Sequence, residues 1–294
     1  MEAVSKQTST PVIASVGTIS LKPDEFAESC AVMHQAGASA IQMDLFYIPQ
    51  PRASAQSLEL VSTAIAAAQE RVPIPVMPKL GIDFPVGLVI DWLPSTHVAG
   101  VLLLDSLRTP PPIDITAQGR SRFAYLDGVT ECSLFGGWQL PLTNQYANQL
   151  SHALQMDICA GGGMLTGADC VETIMLGARC VQVATAIIER GYEHIRTLNR
   201  QIAELLDQAG IPSIDAAIGL AQTHMYWGRP ERYIDSIARI DESICTQCGR
   251  CTRIAFCNEI SIVQGRVTIS DQCIGCGYCA TQCPFEGALV MESR

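Results

Sequence analysis

The chain has 294 residues, 48% hydrophobic and 16% charged, with a formal net charge of −10. This composition supplies a sizeable core and excludes nucleic acid or an anionic membrane as the main expected partner. No apolar run approaches the roughly 20 residues that span a bilayer, so no membrane span is expected. The N-terminus MEAVSKQTSTP lacks the pattern of a secretory signal, so a cytoplasmic location is expected. Thirteen cysteines are unevenly placed: five are scattered through the first 240 residues and eight fall in the last fifty. In a reducing compartment, clustered cysteines are metal ligands more often than disulfides.

Upstream of residue 240, apolar runs alternate with helical patterns. The strand candidates are PVIASVG from Pro11, AIQMDLF from Ala40, IPVMPKL from Ile74, GVLLLDS from Gly100, DICAGGG from Asp157 and CVQVATA from Cys180. Stretches such as DEFAESCAVMHQAG and GADCVETIMLGA read as helices between them. Near-continuous apolar strands alternating with helices predict an α/β fold with a parallel sheet covered on both faces. A (β/α)8-type barrel is favoured over a doubly wound sheet. Only six strands are convincing where a barrel needs eight, and residues 120–138 offer a strand or hairpin rather than two βα units.

Several of these runs end in residues that a strand interior disfavours. The second ends at Asp44 and is followed by Phe46, Tyr47, Pro49, Pro51 and Arg52, where the prolines forbid an immediate helix. The third ends at Lys79, a costly residue at a buried position, and the fourth at Asp105-Ser106. The run from residue 157 to 187 is a strand, the triplet Gly161-Gly162-Gly163, a helix, and a strand ending Ala184-Thr185-Ala186. In barrels, the loops after the last two strands often bind phosphate on backbone N–H groups. No GxGxxG follows a strand, which assigns any NAD(P)H site to a partner. Cys30, Cys132, Cys159, Cys170 and Cys180 sit in apolar patterns and read as small core residues.

The C-terminal stretch holds CTQCGRCTRIAFCNE and CIGCGYCATQCPFE. The second is C-x2-C-x2-C-x3-C-P, a run that wraps a cubane iron–sulfur cluster. Between the two runs, SIVQGRVTIS alternates around Gly265 like a short hairpin. These two runs resemble the bacterial two-cluster ferredoxins, in which the fourth cysteine of each run binds the other run's cluster. The resemblance implies two [4Fe–4S] clusters. One would take Cys245, Cys248, Cys251 and Cys283, and the other Cys273, Cys276, Cys279 and Cys257. The first run departs from the pattern, with five residues between Cys251 and Cys257 and Asn258 in place of proline.

The 157–187 run, PVIASVG, the strand with Asp44, PVMPKL and IPSIDAAIGLA together resemble the dihydroorotate dehydrogenase family. The likeness is greatest to the FMN and iron–sulfur C-terminal half of dihydropyrimidine dehydrogenase. It implies a flavin-binding barrel over residues 1–221, a linker over 222–240 and a ferredoxin-like domain over 241–294. It further implies FMN contacts from Ala14, Gly136 and Gly137 of SLFGGW, Gly162, Gly163, Ala184 and Thr185, with Lys79 reaching the flavin ring. Where the family writes N-x-S-C-P, this chain has Asp44-Leu45-Phe46-Tyr47-Ile48-Pro49, and Asp105-Ser106 replaces an asparagine and a threonine. An ionised carboxylate only accepts hydrogen bonds, so two of them suit uracil, thymine or orotate poorly.

The expectation is therefore an FMN-dependent oxidoreductase subunit acting on a CH–CH or activated C=C bond of a small molecule. Asp44, Tyr47, Lys79 and Asp105 are its candidate catalytic residues. The alternative is an electron-transfer or assembly subunit whose barrel has lost flavin chemistry. The missing strands imply a hetero-oligomer in which another chain completes or covers the barrel. Electrons would come from a redox partner such as an NAD(P)H- and FAD-binding subunit.

Overall fold

The computed structural model describes residues 6–17, 22–45, 54–225, 227 and 236–294. The chain divides into two compact units, Met1–Met225 and Tyr226–Arg294.

In the first unit, β1 (Ile13–Gly17), β2 (Ala40–Asp44), β3 (Val76–Lys79), β4 (Gly100–Leu103), β5 (Asp157–Gly161) and β6 (Cys180–Gln182) form one parallel sheet in that order. All six expected strands are present. Each is followed by a helix, because parallel neighbours require a crossover connection. The helices that position the sheet are α1 (Pro23–Gln35), α2 (Ala55–Arg71), α3 (Val86–Trp92), α4 (Leu140–Ala153), α5 (Gly167–Met175), α6 (Thr185–Arg190) and α7 (His194–Ala209). Local chemistry sets several starts. Pro23 occupies the first turn of α1, Ser54 caps α2 by accepting from Ser57 N, and Thr166 with Asp169 forms a capping box on α5.

Strand alternation sorts the sheet into two faces. Ile41, Met43, Val101, Leu103, Ile158 and Ala160 are buried within the main core, which includes Ala147 and Leu150 of α4. The opposite face carries Ser15, Gln42, Lys79, Leu102, Cys159 and Gln182, and it is the concave one. Gln182 of β6 donates to Gln42 Oε1 (3.0 Å) on β2, and Gln42 donates to Ser15 Oγ (2.9 Å) on β1. Three strands lie between β2 and β6, so this contact requires the sheet to curl strongly. The result is a half-barrel, a partial (β/α)8 architecture in which β1 and β6 pair on one side only among the described residues.

Residues between β4 and α4 stay outside this sheet. They form two small antiparallel ribbons, Leu107–Thr109 with Cys132–Leu134 and Ile113–Asp114 with Arg120–Ser121.

In the second unit, β7 (Ser236–Ile240) pairs antiparallel with β10 (Leu289–Ser293). The expected hairpin is β8 (Ile260–Val263) and β9 (Arg266–Ile269), closed by Gln264 and Gly265 at φ 50° and 78°. Two positive φ values in a two-residue loop match the twist of the strands they join. Ala238, Ile260, Val267 and Leu289 form a small core with Cys251 and Cys279. Cys279 sits on the short helix α8 (Tyr278–Gln282) and Cys251 on a single 3-10 turn.

Candidate functional site

A cavity of about 580 Å³ opens at the C-terminal ends of the parallel strands, within the size range of small-molecule sites. Gln42 enters it from β2 and Lys79 from β3. Leu104, Asp105 and Ser106 follow β4, Gly161 ends β5 and Gly162 to Met164 follow it, and Gln182 ends β6 and Val183 to Thr185 follow it. Phe135 and Gln139, just before α4, complete one wall together with Ile188. Parallel sheets place sites here because the strand ends stop together and their loops diverge.

The loops are tied to one another by hydrogen bonds. Leu104 N donates to Gly161 O (2.7 Å) and Asp105 N to Leu80 O (3.0 Å). Gln139 Nε2 donates to Asp105 O (2.7 Å), and Thr143 Oγ1 to Gly162 O (2.7 Å). Gly162 and Gly163 hold φ values of 99° and 96°. A Cβ on Gly163 would lie 2.2 Å from Leu140 N, so the loop packs directly on the start of α4. Glycine is required here by both conformation and space, and bare backbone is left facing the cavity.

Among the described lining residues, Lys79 and Asp105 alone are ionisable. Lys79 Nζ lies 3.8 Å from Asp105 Oδ2, with the two side chains 20% and 17% exposed. Asp105 Oδ1 also accepts from Ser106 N (2.6 Å) and Ser106 Oγ (3.2 Å). The wall is therefore close to neutral, one cation facing one anion amid side-chain amides.

Of the expected site residues, the structure brings Lys79, Asp105, Gly162, Gly163, Ala184 and Thr185 to this one cavity. Asp44 ends β2 as the register partner of Lys79 and is half-buried, but it is not among the described lining residues. Ala14 is buried within β1. Gly136 and Gly137 flank the cavity through Phe135 without lining it, and Gly137 packs against Leu165. Tyr47 and Arg52 lie outside the described residues.

The sequence reading missed Gln42, Gln139, Thr143 and Gln182. Gln42 did carry a signal, since an amide between Ile41 and Met43 in a buried strand demands a partner. Gln139 and Thr143 carried none.

The eight C-terminal cysteines gather around two separate cavities. Cys245, Cys248, Cys251 and Cys283 line one, with Val267, Phe285 and Leu289. Cys257, Cys273, Cys276 and Cys279 line the other, with Ala238, Ile260 and Tyr278. Burial raises the Cys251 thiol, and the thiols of Cys283, Cys245 and Cys248 raise it further. Burial likewise raises Cys279, with Cys273 and Cys276 adding to the shift. Among the described residues, no three His, Cys, Asp or Glu side chains are grouped to hold a metal ion. Each quartet instead surrounds a pocket.

A curled parallel β/α sheet with a cavity at its strand ends, followed by a small α+β unit rich in thiols, defines the class: a partial-barrel α/β protein with an iron–sulfur binding region. A 4Fe-4S binding domain family matches residues 267–287. Over 222 residues, the chain is 26% identical to a putative dihydroorotate dehydrogenase A (fumarate) of Aeropyrum pernix, covering 74% of this chain and 69% of the relative. It is 29% identical over 226 residues to the dihydroorotate dehydrogenase B (NAD(+)) catalytic subunit of Methanothermobacter thermautotrophicus, covering 72% and 69%. It is 24% identical over 242 residues to the NAD-dependent dihydropyrimidine dehydrogenase subunit PreA of Escherichia coli. That match covers 77% of this chain but only 57% of the relative. The chain is thus homologous to dihydroorotate dehydrogenase-like proteins over about three quarters of its length. No helix among the described residues is long and apolar enough to cross a membrane.

Proposed function

We propose that this chain is the FMN- and iron–sulfur-dependent subunit of an oxidoreductase acting on a CH–CH or activated C=C bond of a small molecule. The observation that carries this reading is the meeting of Gly162, Gly163, Ala184, Thr185 and Lys79 at one cavity. Bare backbone in two adjacent loops and one hydroxyl fit the anionic tail of a mononucleotide. Bound FMN would supply hydride exchange with a substrate and one-electron exchange with iron–sulfur centres.

The chain's own residues would do the following. Gly162, Gly163, Ala184 and Thr185 would hold the phosphate. Lys79 would offset negative charge at the far end of the ligand, with Asp105 fixing the position of its ammonium group 3.8 Å away. The Asp105 carboxylate presents only acceptors, which favours a substrate with donor groups over uracil, thymine or orotate. Asp44 and Tyr47 are proposed to face that substrate, with Tyr47 a candidate proton donor. The two cysteine quartets would hold two [4Fe–4S] clusters and pass single electrons to or from a redox partner carrying NAD(P)H and FAD. The one-sided edges of β1 and β6 fit a further chain that completes or covers the sheet.

One observation favours the second reading, an electron-transfer or assembly subunit: the cavity's cation already has Asp105 as its counter-ion. Cofactor content of the full chain, purified without oxygen and incubated with FMN and iron–sulfide reconstitution reagents, separates the two. About eight irons and about one FMN per chain are expected. Iron without FMN would overturn the oxidoreductase reading and leave the second. Cys257→Ala should lower iron by about half while leaving the other quartet loaded.

A further inference from the structure

Two cysteines away from the iron–sulfur unit face each other across a strand pair. Cys159 of β5 and Cys180 of β6 are register partners in the parallel sheet. Ile158 and Ala160 are fully buried in the helix-side core, and Val181 packs against that core, so alternation puts both thiols on the concave face. Adjacent strands stand about 4.8 Å apart. That lies inside the roughly 4.4–6.8 Å between Cα atoms that a disulfide spans. Both thiols are free, Cys180 exposed at the sheet edge and Cys159 half-buried. The exposure of Cys180 departs from the small core residue that its apolar pattern suggests.

The two are chemically unequal. The hydrogen bond from Cys159 is the largest influence on Cys180 and lowers its thiol to about 7; Arg179 assists, while burial and Asp157 oppose. The same bond, with burial, raises Cys159, and Lys79 offsets part of that rise. An exposed sulfur with thiolate character beside a protonated one is the arrangement of an attacking and a resolving cysteine. The two buried thiols Cys30 and Cys170 lack it: burial pushes Cys30 up to about 12, and Cys170 up to about 11 with some help from Asp169.

We propose that Cys159 and Cys180 form a reversible dithiol–disulfide site oxidised by hydroperoxides, with Cys180 attacking and Cys159 resolving. In the first step the Cys180 sulfur attacks a peroxide oxygen and the O–O bond breaks. Hydroxide leaves, takes up the proton that Cys180 released, and becomes water; Cys180 is left as a sulfenic acid. In the second step the Cys159 sulfur attacks the Cys180 sulfur. The S–S bond forms, the S–O bond breaks, and the hydroxyl departs as water with the Cys159 proton. One hydrogen peroxide and two thiols thus give one disulfide and two waters, and a small dithiol reverses the change. The bridge would join the strands that lead into Gly161–Gly163 and into Thr185, so it lies just below the cavity without using any group assigned to it. This inference stands whether or not the chain holds FMN, and it concerns the chain with its β6 edge open rather than covered by a further chain.

The test is peptide mapping of the full chain after stoichiometric hydrogen peroxide at neutral pH, followed by alkylation and mass spectrometry. Cys159 and Cys180 should lose alkylation together and yield a cross-linked peptide lighter by two hydrogens, restored by dithiothreitol. In Cys159→Ser the cross-link should vanish and Cys180 should be trapped as a sulfenic acid by dimedone. Either of two results overturns the proposal: oxidation of Cys180 with Cys159 still alkylated in the parent chain, or both cysteines untouched while peroxide is consumed elsewhere.

Discussion

Gly163→Ala is a substitution at the cavity for which the structure predicts a large local cost. The residue sits at φ 96°, in a region where an L side chain meets its own backbone; left-handed backbone costs a non-glycine residue about 1–2 kcal/mol. The new methyl would also stand 2.2 Å from Leu140 N and 2.7 Å from Leu140 Cα, both backbone atoms that cannot rotate away. Overpacking of that kind costs about 1–3 kcal/mol. A total near 3 kcal/mol corresponds to a fall in Tm of roughly 6–12 °C for a unit of this size. Gly87, in α3, provides the control, because its added Cβ meets nothing within 4 Å and its φ is ordinary for a helix. Gly87→Ala should be neutral or stabilise by up to about 1 kcal/mol. Urea unfolding followed by far-UV circular dichroism measures both variants. If Gly163→Ala unfolds within about 0.5 kcal/mol of the parent, the glycine loop is not pinned to the start of α4 as described.

Thr143 is fully buried, and its hydroxyl donates to Gly162 O (2.7 Å) with Gly161 O at 3.0 Å. Thr143→Val keeps the shape but removes the donor to the half-buried Gly162 carbonyl, while Gly161 O keeps Leu104 N, so a loss of about 0.5–1.5 kcal/mol is expected, seen as a lower urea midpoint at unchanged slope. For the Lys79–Asp105 pair, a double-mutant cycle with Lys79→Met and Asp105→Leu should give a coupling of about 1 kcal/mol. A coupling of zero would show that the 3.8 Å separation carries no interaction.

Much of the architecture could be read from local pattern. The six strands were legible because each is a short apolar run, closed by a turn signal and buried on its helix side. The cysteine spacings were legible because clustered cysteines have few other uses, whereas the glycine triplet alone could have been a tight turn and gained meaning only from the whole 157–187 run. Asp105 was legible as an oddity at a strand end, yet nothing near it in the chain announces its pairing with Lys79, 26 positions upstream. Gln139 and Thr143 were invisible for a related reason. Each is an ordinary polar residue near a helix start, and its importance comes from carbonyls brought to it by other strands.

Sequence by itself determined the element order, the parallel sheet and the identity of the groups able to bind phosphate or iron, because periodicity and spacing are properties of neighbouring residues. Only the tertiary structure decided that the sheet curls until Gln182 touches Gln42, that Lys79 meets Asp105, and that Cys159 faces Cys180. Those relations join residues tens to more than a hundred positions apart. Strand register and sheet twist set them, and neither is written in any single stretch of the chain.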